Sequence, residues 1–311
     1  MPLITAADGS PMSSLCFGTM QFGGNADQSA AATMYAACRE AGVNFFDTAH
    51  TYSGGRSETI LGRLAADDRD ALIIATKVNF EDGMSAPVVH RSVEESRQRL
   101  GMDTLDILYL HRWDDDVPLE ESFEALATYV DTGTVRHIGV SNYAAWQVVK
   151  AQQVAAGFGV KIAVLQPMYN LVKRQAEVEI LPMAQSEGLA VAPYSPLGGG
   201  LLTGKYSAGE TGRLTDNSGY AVRYGPRWMH DAAAGLAEIG AELGVPAATL
   251  AVAWCARHPG ITAPIVSARS AKQLAPSLAA ASFEMDGALY ARISALSPTP
   301  PPATDRLEEA V

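Results

Sequence analysis

The run Leu105-Asp-Ile-Leu-Tyr-Leu-His111 is an apolar, strand-like segment closed by an imidazole, and the same pattern recurs along the chain. On its N-terminal side, residues 72–76 end at Lys77 and residues 43–46 end at Asp47. On its C-terminal side, residues 137–140 end at Ser141-Asn142, residues 162–165 at Gln166, and residues 189–193 at Tyr194-Ser195. Further strand-like runs at 15–19 and 263–266 bring the set to eight. Most are continuous in apolar residues, as parallel strands covered on both faces should be. Segments of helical spacing separate them, clearest at 29–40, 88–100, 119–130 and 229–243. Val93, Ser96 and Leu100, like Phe123, Leu126 and Val130, repeat at the spacing of one buried helix face. Gly42, Gly101, Gly133 and Gly188 fall where helices should stop in a left-handed residue. Alternating strands and helices whose strands all carry polar residues at the C-terminal end predict an α/β protein, a (β/α)8 TIM barrel.

Three features extend the repeat. A hairpin-like stretch, 3–15 around Asp8-Gly9, opens the chain. The segment 197–226, rich in Gly, Ser and Thr, is too long for an ordinary strand–helix connection and reads as a functional lid. Additional helices are expected at 247–258 and 286–296. No linker interrupts the alternation, so residues 1–311 are expected to form one barrel domain, with 298–311 a Pro-rich tail.

The 311 residues are 48% apolar, enough for a substantial core, and the formal charge of −11 argues against a nucleic-acid or anionic-membrane surface. Cys16, Cys38 and Cys255 are too few and too scattered for a disulfide framework or a thiolate metal cluster. No apolar stretch reaches the length of a membrane span, and no charged segment followed by an apolar one opens the chain; a cytoplasmic location is the expectation.

Asp47, Tyr52, Lys77 and His111 are the candidate catalytic residues. Each alone is commonly a structural ion pair or a satisfied core residue. Four mutually compensating groups at the ends of consecutive strands can instead form a proton-transfer device. A free phenol, with a pKa near ~10, is a poor acid at neutral pH. A lysine ammonium about 4 Å away stabilises the phenolate by up to ~4 kcal/mol at an effective dielectric of ~20, before burial opposes it. On that arithmetic Lys77 brings Tyr52 toward the working range, Asp47 holds Lys77 charged, and His111 binds a substrate oxygen or relays a proton.

These residues, with their spacing and strand positions, resemble the catalytic tetrad of the aldo-keto reductase superfamily. The local words agree: Asn44-Phe-Phe-Asp-Thr-Ala with Tyr52, Ser57-Glu-Thr-Ile-Leu-Gly62, Ala75-Thr-Lys77, Asp106-Ile-Leu-Tyr-Leu-His111 and Gly139-Val-Ser-Asn142. Gln166-Pro-Met-Tyr-Asn170 and Pro193-Tyr-Ser-Pro-Leu-Gly-Gly-Gly-Leu-Leu-Thr-Gly-Lys205 complete the set. The resemblance implies NADP(H) bound across the strand ends, and no Gly-x-Gly-x-x-Gly follows the first strand to suggest a Rossmann fold instead. It places Ser141, Asn142 and Gln166 on the nicotinamide carboxamide and Tyr194 against its ring, with Asp47 nearby. Gly18, Thr19 and Met20 match a further cofactor-contacting strand end. Ser195, Leu197, Gly199, Leu201 and Lys205 match a loop over the pyrophosphate. Ser267, Arg269 and Gln273 match the adenosine end, Arg269 facing a 2′-phosphate. Ser53 stands where the family usually has glycine after the tyrosine.

From their places on strand-end loops, Phe22, His50, Trp113, Tyr220, Tyr224 and Trp228 are expected to wall a pocket for a small aldehyde, ketone or sugar, or for the corresponding alcohol. Arg112 and Asp114 would either meet substrate hydroxyls or pair with each other at the rim. The resemblance also covers NADP(H)-holding β subunits of potassium channels, so a regulatory partner protein with little turnover is the alternative. A Schiff-base role for Lys77 is disfavoured, because Asp47 would keep the amine charged. The family includes monomers and higher oligomers, so a homo-oligomer is admitted.

Overall fold

The computed structural model describes residues 4–206, 209–306 and 308. Eight parallel strands form one sheet: β1 (Cys16–Gly18), β2 (Phe45–Asp47), β3 (Ile73–Lys77), β4 (Leu105–Leu110), β5 (Val135–Ser141), β6 (Ile162–Gln166), β7 (Ala190–Val191) and β8 (Ile265–Val266). Neighbours follow chain order from β1 to β7, and β8 pairs with the free edge of β1. The sheet closes on itself through a parallel bridge between Tyr194 and Ile265, backed by Ile265 N–H donating to the Pro193 carbonyl at 2.8 Å. This is the (β/α)8 barrel expected from the alternation.

Helices run between the strands: α1 (Gln28–Glu40), α2 (Arg56–Ala65), α3 (Ala86–Leu100), α4 (Leu119–Asp131), α5 (Ala145–Gly157) and α6 (Ile180–Ser186). The stretch after β7 holds a 3-10 turn, Gly198–Thr203, and two short helices, α7 (Arg213–Asp216) and α8 (Ser218–Arg223). Then come α9 (Arg227–Leu243), α10 (Ala247–Arg257), α11 (Ala271–Leu278) and α12 (Gly287–Ser294). No single helix among the described residues is long and apolar enough to cross a membrane.

The period-2 pleat decides what faces the barrel axis. Phe45, Ile73, Ala75, Ile107 and Tyr109 form one buried cluster inside the barrel, whereas Phe46, Ile74, Leu108 and Leu110 belong to the larger core under the helices. Asp47, Lys77 and His111 continue the inward parity of Phe45, Ala75 and Tyr109. The pleat that buries the apolar residues therefore also turns the strand-end polar groups toward one another. Pairing fixes their heights, with Gly18 opposite Asp47, Lys77 opposite Tyr109, and Ser141 opposite Gln166.

The two shortest strands fall well inside their apolar runs. Pro193 and Pro264 lack the amide hydrogen that a ladder needs, so β7 and β8 shrink to two residues each. The N-terminal hairpin survives as a single antiparallel bridge, Thr5 to Pro11. On the outside, Gly62 of α2 lies against the Leu100 backbone carbonyl so closely that any side chain there would collide with it.

Candidate active site

The C-terminal ends of the strands border one cleft of about 350 Å³. Asp47, Tyr52 and His111 line it together with Ser141, Asn142, Gln166 and Tyr194. Lys77 lies just beneath, with no solvent exposure at all. Its Nζ donates to Asp47 Oδ2 at 2.7 Å, to the Thr48 carbonyl at 2.7 Å and to the Tyr52 hydroxyl at 3.4 Å. The second carboxylate oxygen of Asp47 accepts from Gln166 Nε2 at 2.8 Å. The ring of His111 meets that of Tyr52 edge-on at 6.2 Å, and that of Phe80 at 4.8 Å. The strand ends thus bring all four sequence-derived catalytic candidates into one array.

The electrostatics differ from the sequence expectation at one point. Burial opposes the charge on Lys77, but Asp47 and Tyr52 outweigh it and hold the ammonium above its usual range. Burial also raises the Tyr52 phenol above its ordinary value, and here the opposing pull of Lys77 does not win. Tyr52 is therefore a firmly protonated phenol rather than one drawn down toward neutrality. His111 falls to about 3, first through burial and then through the positive charges of Lys77 and Arg112, so its imidazole is neutral. Its Nδ1 is buried and has no hydrogen-bond partner among the described residues.

Around this array the strand-end residues support one another. Asn142 adopts φ +59° and Ser195 φ +61°, left-handed conformations rare for side-chain-bearing residues. The Tyr194 hydroxyl donates to Asn142 Oδ1 at 2.7 Å, and Asn142 Nδ2 donates to the His111 carbonyl at 3.0 Å. Ser141 Oγ donates to the Gln166 carbonyl at 2.9 Å. These contacts fix the ring of Tyr194 at the cleft.

Of the remaining sequence-derived cofactor contacts, Gly18, Met20, Ser195, Leu197, Gly199, Lys205, Ser267, Arg269 and Gln273 border the cleft, and two do not. Thr19 is fully buried, where its Oγ1 and its amide both donate to the Asp47 carbonyl, so it pins the strand end instead. Leu201 turns into the core. Three observations test whether the cleft suits a phosphate-bearing dinucleotide. Gly199 and Gly200 have φ +65° and +96° in the cleft wall, a backbone conformation that glycine adopts without strain. Lys205, Arg213 and Arg269 line the cleft, whose only carboxylate among the described residues, Asp47, is already paired with Lys77. Ser267 Oγ is buried and unpartnered among the described residues, beside the N-terminus of α11. The residues fit such a group.

Most of the expected substrate wall does not border the cleft. Phe22 is buried against Phe17, with ring centroids 5.7 Å apart. His50 turns away to Glu95, and Trp113 packs on Tyr143 and Trp146 with its Nε1 donating to Asp115. Tyr224 is fully buried and accepts from Asn170, and Trp228 does not border the cleft. Tyr220 does line it, with Arg213 and Arg223 over its ring at 5.5 and 5.2 Å. Sequence reading missed Gln21, Phe80, Thr203 and Arg213 among the lining residues. Arg112 and Asp114 do not pair: Arg112 lies over Phe80 at 5.4 Å, while Asp114 accepts from the Met84 and Asp116 amides.

The comparisons agree with this geometry. The model of the aldo/keto reductase family matches residues 14–298. A Bacillus subtilis protein named an uncharacterized oxidoreductase is 32% identical over 308 residues, which cover 93% of each chain. A rice protein named a probable voltage-gated potassium channel subunit beta is 35% identical over 289 residues, 86% of this chain and 87% of its own. The norsolorinic acid reductase of Emericella nidulans is 33% identical over 297 residues, 88% of this chain and 75% of its own. The fold, the strand-end array and the extent of these matches lead to one conclusion: the chain belongs to the aldo/keto reductase family.

Proposed function

We propose that the protein is an NADP(H)-dependent oxidoreductase that interconverts an aldehyde, ketone or sugar carbonyl with the corresponding alcohol, Tyr52 serving as general acid and base. The observation that carries this reading is the buried Asp47–Lys77–Tyr52 array under the cleft. The family generally uses NAD(P)H, and two of the relatives above are named an oxidoreductase and a reductase. When bound, the nicotinamide would supply or accept the hydride. Ser141, Asn142, Gln166 and Tyr194 are the groups that would hold its nicotinamide end, with Gly18 and Met20 beside them. Ser195, Leu197, Gly199 and Lys205 would hold the pyrophosphate, and Ser267, Arg269 and Gln273 the adenosine end.

The chain's own groups manage the proton. In the direction of reduction, the protonated Tyr52 hydroxyl gives its proton to the carbonyl oxygen as negative charge develops there. Lys77, 3.4 Å away, is a loose partner of the neutral phenol and becomes a strong one for the phenolate left behind. Asp47 keeps Lys77 charged, and Gln166 and the Thr48 carbonyl keep both aligned. His111, neutral and bordering the cleft, offers a hydrogen bond without adding a second positive charge.

The test is nicotinamide absorbance over time with a panel of carbonyls and alcohols, using NADPH, NADH and their oxidised forms. Tyr52→Phe should lose about 10²- to 10⁴-fold in turnover while still binding NADPH; undiminished turnover in that variant refutes the assignment. A second reading, a nicotinamide-holding regulatory partner, is favoured by the rice relative named as a channel subunit. Tight NADPH binding with no turnover on any member of the panel would select it.

A further inference from the structure

Behind the Tyr52 turn lies a polar cluster that the proton chemistry above does not use. Glu58, on the first turn of α2, is fully buried. Its Oε1 accepts from the Thr76 hydroxyl at 2.6 Å, and its Oε2 lies 3.3 Å from Nη1 of Arg99, which reaches in from α3. Arg99 Nη1 also donates to the His50 carbonyl at 3.1 Å. Its Nη2 donates to Glu95 Oε2 at 2.8 Å, and the same carboxylate oxygen lies 2.7 Å from His50 Nε2. The guanidinium finally fills the space beside Gly55, where an added Cβ would sit 2.7 Å from its carbon. One side chain therefore touches the turn before Tyr52, at His50, and after it, at Gly55. Through Glu58 it is tied to Thr76, the residue before Lys77.

The turn needs such a brace. Ser53, Gly54 and Gly55 follow one another at φ +51°, +65° and +84°. A left-handed serine is strained and persists only where the surroundings over-determine it. The Tyr52 hydroxyl meets Lys77 at 3.4 Å, near the limit of a hydrogen bond, so a small shift of the turn breaks the contact.

We propose that Arg99 is a positioning residue for Tyr52: by bracing His50 and Gly55 against Glu58 and Thr76, it sets the distance between the Tyr52 hydroxyl and the Lys77 ammonium. Arg99 does not reach the reacting atoms. Its planar fork serves the His50 carbonyl, Glu58 and Glu95 together, a task that a lysine point charge performs only in part. The inference rests on the reading of Tyr52 as acid and base.

The test compares wild type, Arg99→Gln and Arg99→Lys in the full-length protein. For each, kcat and KM are measured with the best carbonyl found, and NADPH affinity by fluorescence. The ionisation of Tyr52, which faces Lys77, Asp47, His111 and Tyr220, is read from phenolate absorbance against the matching Tyr52→Phe background. Arg99→Gln should lower kcat about ten- to a hundredfold, as a misplacement near 1 Å does. NADPH affinity should change far less, and phenolate formation should move to higher pH as Lys77 recedes; Arg99→Lys should recover part of both effects. A purely structural role would lower the melting temperature and the fraction of NADPH-binding molecules, with kcat per binding site and the phenolate titration unchanged, and would overturn the proposal. Should Arg99→Gln fail to fold, Arg99→Lys and Glu95→Gln carry the same readouts. If Tyr52→Phe proves fully active, the acid–base reading fails, while the phenolate titration still decides whether Arg99 sets the phenol–ammonium distance.

Discussion

Removing one member of the Asp47–Lys77 pair should cost far more than removing both. Lys77 has no exposed surface and the Asp47 side chain only 4%, and the two meet at 2.7 Å. At an effective dielectric of ~20, two unit charges at that separation attract by roughly 6 kcal/mol. Taking both ions out of water costs several kcal/mol each, so the intact pair adds little net stability. Its rupture is a different matter. In Asp47→Asn the ammonium loses its counter-charge and is left with neutral acceptors, among them the Thr48 carbonyl and the Tyr52 hydroxyl. In Lys77→Met the Asp47 carboxylate keeps only Gln166 among the side chains bonded to it. Each single variant should lose about 3–5 kcal/mol, the usual cost of an orphaned buried charge. The double variant removes both charges and should lose far less than either single variant, leaving a coupling energy of several kcal/mol. The measurement is urea denaturation of all four proteins at neutral pH without nicotinamide, followed by far-ultraviolet circular dichroism. Losses that add to within about 0.5 kcal/mol would show the two sites to be independent, and the claim that Asp47 keeps Lys77 charged would fall with them.

Three further expectations concern pH and cofactor choice. His111 titrates near 3 in the folded protein, against about 6.5 unfolded. On acidification the unfolded chain takes up this proton first, so stability should fall from about pH 6.5 toward pH 3, by up to roughly 3 kcal/mol at about pH 4. His111→Gln should flatten that slope in denaturation curves; an unchanged slope would contradict the buried, neutral imidazole. Because burial raises the Tyr52 pKa, reduction should hold its rate through neutral pH and fail only in the alkaline range, whereas alcohol oxidation should rise as pH increases. Matched kcat profiles in the two directions check this, and an oxidation rate flat from neutral to alkaline pH would count against Tyr52 as the base. Arg269→Ala should weaken NADPH binding about tenfold or more while sparing NADH, as loss of a charge-assisted phosphate contact requires; equal losses for both nucleotides would remove Arg269 from the 2′-phosphate.

Much of this fold was legible because strand parity and strand-end chemistry are written in the same residues. Ile73, Ala75 and Lys77 share one face of β3, so the pattern that buries the first two also aims the third. Asp47 and His111 follow the same rule on β2 and β4. Loop side chains obey no such period. Phe22, His50, Trp113 and Tyr224 have the right positions along the chain, but each found a better partner in Phe17, Glu95, Tyr143 or Asn170. The segment after β7 reads as a loop because its Gly and Ser content hides two short helices, and one of these brings Tyr220 to the cleft. The sign of the Tyr52 shift was illegible for a related reason: charge can be counted in a sequence, whereas desolvation depends on depth.

The two-residue strands β7 and β8 make the barrel wall thinnest where Tyr194 meets Ile265. Tyr194 and Ser195 stand on one side of that seam, and Ser267, Arg269 and Gln273 on the other, all bordering the same cleft. A molecule held by both groups works as a clasp across the joint that prolines keep short of hydrogen bonds. Filling the cleft should therefore tighten the whole cylinder. Amide exchange along 190–194 and 262–266 should slow in step with occupancy, and the melting temperature should climb with ligand concentration as mass action demands.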